Sequence, residues 1–226
     1  MVVMRALRLA CLLFFVLAPA ARAFQMGMPG MVGQDGDVVL SASTGIQYNL
    51  ILDAPVKHQY DSIFQYNVLG KIGYAPVKWF EPVAMVGGAT YKHKRSDFVG
   101  KFAPMFGLQL RFAPVNNDKG FFFAIDPGMM YQPIRGSIGS TADLKAHKVD
   151  FAGGATFGYN ADRVSFFAGG RYTYLFVKEQ TQPKLKNHSG GIYGGVDYFV
   201  TPNVYFGLEA QNFDSQAIFA GVGGRF

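Results

Sequence analysis

The sequence is poor in the features that mark redox, metal-binding and nucleotide-dependent proteins. Its single cysteine, Cys11, lies in an N-terminal apolar stretch, so the chain beyond that stretch can form neither a disulfide nor a thiolate metal site. Phosphate-binding loops, dinucleotide fingerprints and nucleophile elbows are missing as well. The histidines lie apart in sequence, without the spacing that metal ligands show. The sequence therefore predicts no cofactor and no metal.

Long apolar runs are scarce, although 50% of the residues are hydrophobic. The apolar stretch at 9–18 is shorter than the roughly 18 residues of a membrane-spanning helix, and no later stretch approaches that length. Arg5 and Arg8 precede it, and Ala21-Arg22-Ala23 follows it as a cleavage motif. This order predicts a secretory signal peptide at 1–23, so that the mature chain begins after Ala23.

The chain also has little excess of charge of either sign once this signal peptide is removed from the count. Removing its three basic residues from the 21 in the chain leaves 18 against 15 acidic residues, a net charge of +3. So mild an excess does not indicate binding to nucleic acid. The remaining length suits one domain. The first part of the mature chain, residues 24–36, is rich in Met and Gly and shows no hydrophobic periodicity. This composition predicts a flexible periplasmic segment.

What the sequence does contain is apolar residues at every second position. Between 102 and 112, Phe102, Phe106, Leu108 and Leu110 alternate with residues such as Gln109 and Arg111. Such alternation predicts strands with one apolar and one polar face. About ten runs of this kind follow one another, near 38–51, 61–74, 83–91, 102–113, 121–131, 147–159, 164–177, 190–200, 203–212 and 216–226.

The length of these runs indicates a membrane rather than a soluble sandwich. They are longer than the usual 5–6 residues of a globular strand and close to the 9–11 of a tilted transmembrane strand. Because unpaired backbone groups cost several kcal/mol in hydrocarbon, such strands must close into a ring. The sequence predicts an all-β fold, a closed antiparallel transmembrane β-barrel at 37–226. It would have about ten strands, or eight if the hairpin around Pro127 is irregular.

The last run ends on an aromatic residue, with Val222, Gly224 and Phe226 on one face of the strand. This ending resembles the C-terminal assembly signal of small bacterial outer-membrane β-barrel proteins. The resemblance implies a location in the Gram-negative outer membrane, among lipid and lipopolysaccharide. It also implies recognition by the barrel-assembly machinery through the C-terminal strand. Short and long connections alternate along the chain, which places the short turns and both termini in the periplasm.

Aromatic residues fall near the ends of the predicted strands and suggest two interfacial girdles. One girdle would contain Tyr74, Phe112, Phe121, Tyr159 and Phe226, and the other Tyr48, Tyr91, Phe102, Tyr131 and Tyr174.

Charged residues on the opposite faces of the strands predict a lumen network that neutralises itself inside a narrow barrel. Its members would be Lys71, Arg111, Asp126, Asp150, Arg171, Asp197, Glu209 and Arg225. Inward glycines leave space in the lumen, and inward aromatic residues can fill it. Barrels of about eight strands have a lumen filled by side chains, and wide channels need sixteen or more strands, so a barrel of about ten strands should be largely filled.

The long connections predict a basic external rim. They carry ten basic residues against five acidic ones, whereas the charges of the short turns, Glu81 among them, balance. We expect this rim to contact phosphate-bearing lipopolysaccharide or another polyanion. The basic residues are Lys57, Lys92, Lys94, Arg95, Lys101, Arg135, Lys145, Lys178, Lys184 and Lys186. His58, His93, His147 and His188 lie in or beside the same connections.

The sequence favours a non-catalytic barrel that anchors this rim. One alternative is a narrow porin-like channel for small polar solutes or ions. Another is an outer-membrane enzyme that modifies lipid A or cleaves proteins at the rim. Omptin proteases use an Asp–His pair, and no Asp-x-His occurs here, although Asp61 near His58 and Asp150 near His147 could approach. Lipid A deacylases use a His and a Ser two residues apart on one face of a strand, whereas His188 and Ser189 are adjacent and would point to opposite faces. The oligomeric state stays open.

Overall fold

The computed structural model describes residues 33–50, 63–93, 98–138, 142–179, 185–212 and 216–226. The predicted signal peptide at 1–23 and residues 24–32 lie outside these ranges. Within them, no helix is long and apolar enough to span a membrane.

The described residues form a closed antiparallel β-barrel. Its strand segments are β1 (Val38–Leu50), β2 (Ile63–Tyr74), β3 (Phe80–His93), β4 (Phe98–Lys101), β5 (Ala103–Asn116), β6 (Gly120–Ile125), β7 (Gly128–Ile138), β8 (Ala142–Ala161), β9 (Val164–Glu179), β10 (Leu185–Thr201), β11 (Val204–Asn212) and β12 (Gln216–Arg225). The ring closes where β1 pairs with β12. The backbone of Phe226 continues this pairing, with two hydrogen bonds of 2.9 Å to Val38.

Two of the spanning strands are each made of two segments, so the barrel has ten strands and the eight-strand alternative is wrong. β4 and β5 lie end to end and both pair with β3. β6 and β7 lie end to end and both pair with β8.

The interruption between β6 and β7 falls at Pro127, where the sequence predicted an irregularity. Proline has no N–H to donate to the sheet. Its carbonyl still accepts a hydrogen bond of 2.8 Å from the Leu110 N–H. Asp126 keeps two backbone hydrogen bonds to Gly154. The register on β8 is the same on both sides of the break, so this hairpin spans the barrel like the others.

The two faces of the strands are arranged as the alternation predicted. Leu108 is 57% exposed on the outer surface, whereas Gln109 and Gln47 are both 2% exposed and face the interior. Tyr91 is a correction: it was expected in a lipid-facing girdle, but it is buried at 3% exposure. β3 carries small and apolar residues on both faces, so its alternation did not define which face meets lipid.

Aromatic side chains fill the barrel interior, and five of them lie over a glycine of a neighbouring strand. A Cβ on Gly45 would lie 1.9 Å from the ring of Phe219, and one on Gly158 would lie 2.1 Å from the ring of Phe122. The same arrangement joins Gly195 with Phe167, Gly169 with Tyr193, and Gly223 with Tyr205. Glycine gives these rings the room that any Cβ would remove.

Several predicted connections are strands in the structure. The strands β3, β4, β7, β8, β9 and β10 extend into the predicted long connections at 92–101, 132–146 and 178–189. Polar residues beyond the membrane do not alternate in hydropathy, so their pairing was not visible in the sequence. Glu81, expected in a short turn, is an inward residue of β3 and is 1% exposed.

The end of the predicted flexible segment contacts the short-turn end of the barrel. The Gly33 N–H donates a hydrogen bond of 3.4 Å to Glu81 Oε2. The Gly36 N–H donates one of 2.7 Å to the Ala75 carbonyl. The Lys78 N–H donates one of 2.5 Å to Asp35 Oδ1. Residues 33–36 thus line the mouth of the barrel.

Candidate functional site

Arg111 is the centre of a buried ion-pair network in the lumen. Its Nε lies 2.9 Å from Asp126 Oδ1, and its Nη1 lies 3.7 Å from Glu81 Oε2. Gln109 Nε2 donates a further hydrogen bond of 3.1 Å to Asp126 Oδ1. The arginine therefore links carboxylates on two strands, β3 and the end of β6, away from water.

The network continues across the lumen through Thr156. Its hydroxyl donates a hydrogen bond of 3.3 Å to Asp126 Oδ2 and also contacts the hydroxyl of Tyr193. The Arg171 guanidinium lies 4.8 Å from the centroid of the Tyr193 ring, a distance at which a cation–π interaction forms. The interior polar groups are thus joined across several strands.

The structure buries six of the eight predicted lumen residues, namely Arg111, Asp126, Asp150, Arg171, Asp197 and Glu209. Lys71 is partly buried. Arg225 lies at the mouth, with its Nη1 3.7 Å from Asp118 Oδ1 and its Nε 3.9 Å from Asp37 Oδ2.

Two buried charges were not assigned to the lumen by the sequence. One is Glu81, and the other is Lys148, whose Nζ lies 3.1 Å from Asp150 Oδ2. The only sequence signal for Lys148 was its spacing of two from Asp150.

The interior is closely filled next to this network. A void between Lys71, Glu81, Arg111 and Tyr205 has a volume of only about 10 Å³. Such a space is at the lower limit for a single water molecule.

The predicted basic rim includes strand residues, which corrects the expectation for six of its members. Lys92, Lys101, Arg135, Lys145 and Lys186 lie on β3, β4, β7, β8 and β10, and Lys178 lies on β9. Lys57, Lys94, Arg95 and Lys184 lie outside the described residues. Lys92 and Lys101 are exposed.

The backbone register brings three of these basic residues into one row. Lys101 lies opposite Arg135 on the neighbouring strand, and Arg135 lies opposite Lys145 on the next. Neighbouring strands are about 4.8 Å apart, so the row places three basic residues within about 10 Å along the rim. Toward the middle of the barrel, Phe102 directly follows Lys101, and Tyr131 lies four residues from Arg135 on β7.

His147 lies beside the row and pairs with an aromatic residue. Its Nδ1 lies 2.6 Å from the Tyr131 hydroxyl, and the two rings are stacked with centroids 5.9 Å apart. His58 lies outside the described residues, and the structure places only the backbone of His93 and His188. In the described part of the chain, no three His, Cys, Asp or Glu side chains cluster as metal ligands would.

The opposite end of the barrel contains a pocket of about 410 Å³. The short turns between β5 and β6, β8 and β9, and β10 and β11 surround it, and Phe199, Asn160 and Arg225 are among its lining residues. On its rim, Lys119 Nζ lies 2.8 Å from Asp162 Oδ1. This hydrogen bond lowers the pKa of Asp162 and raises that of Lys119.

Comparison with known proteins shows which solved structures have a similar fold. No protein-family model matches the sequence, and no curated protein matches it. The transport unit of the autotransporter AIDA-I from Escherichia coli is similar, with a TM-score of 0.51 and 10% identity over 88% of this chain and 92% of that one. The Neisserial surface protein NspA matches with a TM-score of 0.47 and 14% identity, over 86% of this chain and 99% of that one. The outer membrane protease OmpT from Escherichia coli matches with a TM-score of 0.45 and 11% identity, over 84% and 94%.

At these identities the comparison shows the fold alone. The closed ten-strand barrel and its exposed apolar surface define a protein of the broad outer-membrane β-barrel class.

Proposed function

We propose that this protein is a non-catalytic outer-membrane anchor whose basic external rim contacts the phosphate groups of lipopolysaccharide. The observation that carries the proposal is the row formed by Lys101, Arg135 and Lys145 across adjacent strands. Lysine and arginine are the side chains that bind phosphate most strongly, through charge-assisted hydrogen bonds.

The position of the row relative to the aromatic residues supports lipid phosphate as its partner. Aromatic residues of membrane barrels concentrate at the level of the lipid headgroups. Phe102, which is 69% exposed, directly follows Lys101, and the partly exposed Tyr131 lies four residues from Arg135, about 13 Å along β7. A basic row at this depth is therefore level with anionic headgroups.

The filled interior supports an anchor rather than a channel. The lumen contains buried ion pairs and a cluster of Phe122, Phe167, Tyr193 and Phe219. Side chains of this size occupy the space through which a solute would pass.

Binding of lipopolysaccharide to the refolded protein in phosphatidylcholine vesicles tests the proposal. The variant carries Lys101→Glu, Arg135→Glu and Lys145→Glu, and we expect it to bind at least tenfold more weakly because three attractive contacts become repulsive. The affinity of the native protein should also fall as salt is added. Isothermal titration calorimetry measures both effects.

The matched control is Lys119→Glu, which reverses one exposed lysine at the opposite end of the barrel and should leave binding unchanged. Equal affinity of the native protein and the triple variant would refute the proposal. So would an equal loss in the Lys119→Glu control, because the effect would then follow net charge rather than the row.

A further inference from the structure

Three inward residues on adjacent strands form a row of oxygen atoms near the periplasmic mouth. Asn160 on β8 lies opposite Ser165 on β9, and Ser165 lies opposite Asp197 on β10. Ser165 and Asp197 are both 0% exposed. Neighbouring residues in the row are about 5 Å apart at the backbone.

The oxygen atoms of this row have no hydrogen-bond partner among the residues that the structure describes. They are Asn160 Oδ1, Ser165 Oγ and both carboxylate oxygens of Asp197. Buried polar atoms are nearly always hydrogen-bonded, and each exception calls for a ligand, a water or an ion. Here several exceptions stand side by side.

The electrostatic surroundings of Asp197 favour a cation at the row. Glu209 lies diagonally across β10 and β11 from Asp197, so a second buried carboxyl group is close to it. Arg111 is bound to Asp126 and Glu81. Of the buried acids described above, Glu81, Asp126 and Asp150 have ion-pair partners and Glu209 accepts a hydrogen bond from Gln211, whereas Asp197 has neither within the described ranges. An isolated buried carboxylate is costly unless a positive charge or a proton neutralises it.

A cavity leads toward this row from the periplasm. Asn160 and Phe199 line the pocket of about 410 Å³, whereas Ser165 and Asp197 are fully buried and lie next to them without lining it. Phe199 is the inward residue of β10 next after Asp197, and its ring packs against Tyr205 with centroids 5.9 Å apart. The pocket is large enough for a small organic molecule, and its floor is partly aromatic.

We propose that Asn160, Ser165 and Asp197 bind a primary ammonium group that enters through this pocket. An ammonium has three N–H donors and no acceptor, which matches an amide oxygen, a hydroxyl oxygen and a carboxylate. Its alkyl chain would pack on Phe199. The row offers one carboxylate rather than the several that calcium ligation requires. The site lies at the opposite end of the barrel from the basic rim and does not depend on the proposed contact with lipopolysaccharide.

Titration of the refolded protein with amines tests the proposal. Butylamine represents a free amine, and Nα-acetyl-lysine amide represents a lysine side chain. Binding of either supports the site, and the tighter one identifies the source of the ammonium. Butanol and tetramethylammonium are controls that lack, respectively, the charge and the N–H donors. Calorimetry or NMR titration should show binding of the amine and none of the controls.

Asp197→Asn should weaken amine binding at least tenfold, because it replaces a charged acceptor with a neutral amide. Asp162→Asn, on the exposed rim of the same pocket, should leave binding unchanged. If Asp197→Asn does not fold, as judged by heat-modifiable mobility in a gel, Ser165→Ala carries the same test with a smaller loss. The proposal is overturned if neither amine binds, if tetramethylammonium or calcium binds equally well, or if the folded variants bind as the native protein does.

Discussion

At the scale of the single residue, Arg111 shows how a buried charge is held in this barrel. The sequence placed it inside from the alternation of β5, but the identity of its partners follows from the fold. Asp126 comes from the end of β6, and Glu81 comes from β3. A buried ion pair need not add stability, but removing one member leaves the others unpaired away from water.

The change Arg111→Leu should therefore lower the free energy of unfolding by about 3–5 kcal/mol, because it leaves Asp126 and Glu81 without their cation. Urea unfolding of the protein refolded in lipid vesicles measures the loss. Lys119→Ala, which breaks the exposed pair with Asp162, is the control and should have no measurable effect. An Arg111→Leu protein as stable as the native one would show that the network does not hold the strands together.

At the scale of the element, the strands fit one another through pairs of a ring and a glycine. Gly45 on β1 and Phe219 on β12 are directly opposed where the barrel closes. A strand with larger residues at such positions would still alternate in hydropathy. It could not, however, approach a neighbour that carries an aromatic ring.

Gly45→Ala should destabilise the barrel by about 1–3 kcal/mol, because its Cβ would overlap the Phe219 ring. Gly153→Ala is the matched control: this glycine has no atom within 4 Å of the added Cβ, so the same change should be tolerated. Adding Phe219→Leu to Gly45→Ala should recover part of the lost stability. Equal urea midpoints for the two glycine variants would contradict the steric explanation.

At the scale of the whole molecule, the barrel is a filled ring rather than an open pore. The charged network and the aromatic cluster meet at Tyr193, whose hydroxyl contacts Thr156 and whose ring belongs to the cluster, so side chains of both kinds fill the lumen. The exposed apolar residues cover the outside of the ring, and the polar residues lie in its lumen and at its two ends.

We expect the native protein to be silent in planar-bilayer recordings, because its interior is filled by side chains. Replacing Phe122, Phe167 and Phe219 together with Ala removes three rings from the lumen and should produce discrete conductance steps. Steady channel openings of the native protein under the same conditions would favour the narrow channel over the anchor.

Much of the fold was predictable because alternation is a local property of the chain. The alternation of Leu108 and Gln109 predicts which of them faces outward and which faces the interior, and no information from another strand is needed. The break at Pro127 was predictable for the same reason, since a missing N–H belongs to one residue. Tyr91 was misplaced because both faces of β3 are small or apolar, and only packing against the other strands turned it inward.

The candidate sites were less predictable because they depend on register between strands that are distant in sequence. The row of Lys101, Arg135 and Lys145 appears only when β4, β7 and β8 are paired, and these residues had been expected in connections. In the row of Asn160, Ser165 and Asp197, only the inward position of Asp197 was predicted from the sequence. None of these residues is unusual by itself. Pairing with the neighbouring strands determines which other residues of the row lie beside each one.

Apolar alternation along each run is a property of the sequence, and it is sufficient to specify long amphipathic strands. These strands must close on themselves because hydrocarbon excludes an open sheet edge. The tertiary structure alone decided which residues meet inside the ring and at its two mouths. The physical reason is that side-chain contacts in a barrel depend on strand register. Register is fixed by the fit of rings against glycines and of charges against countercharges around the whole circumference.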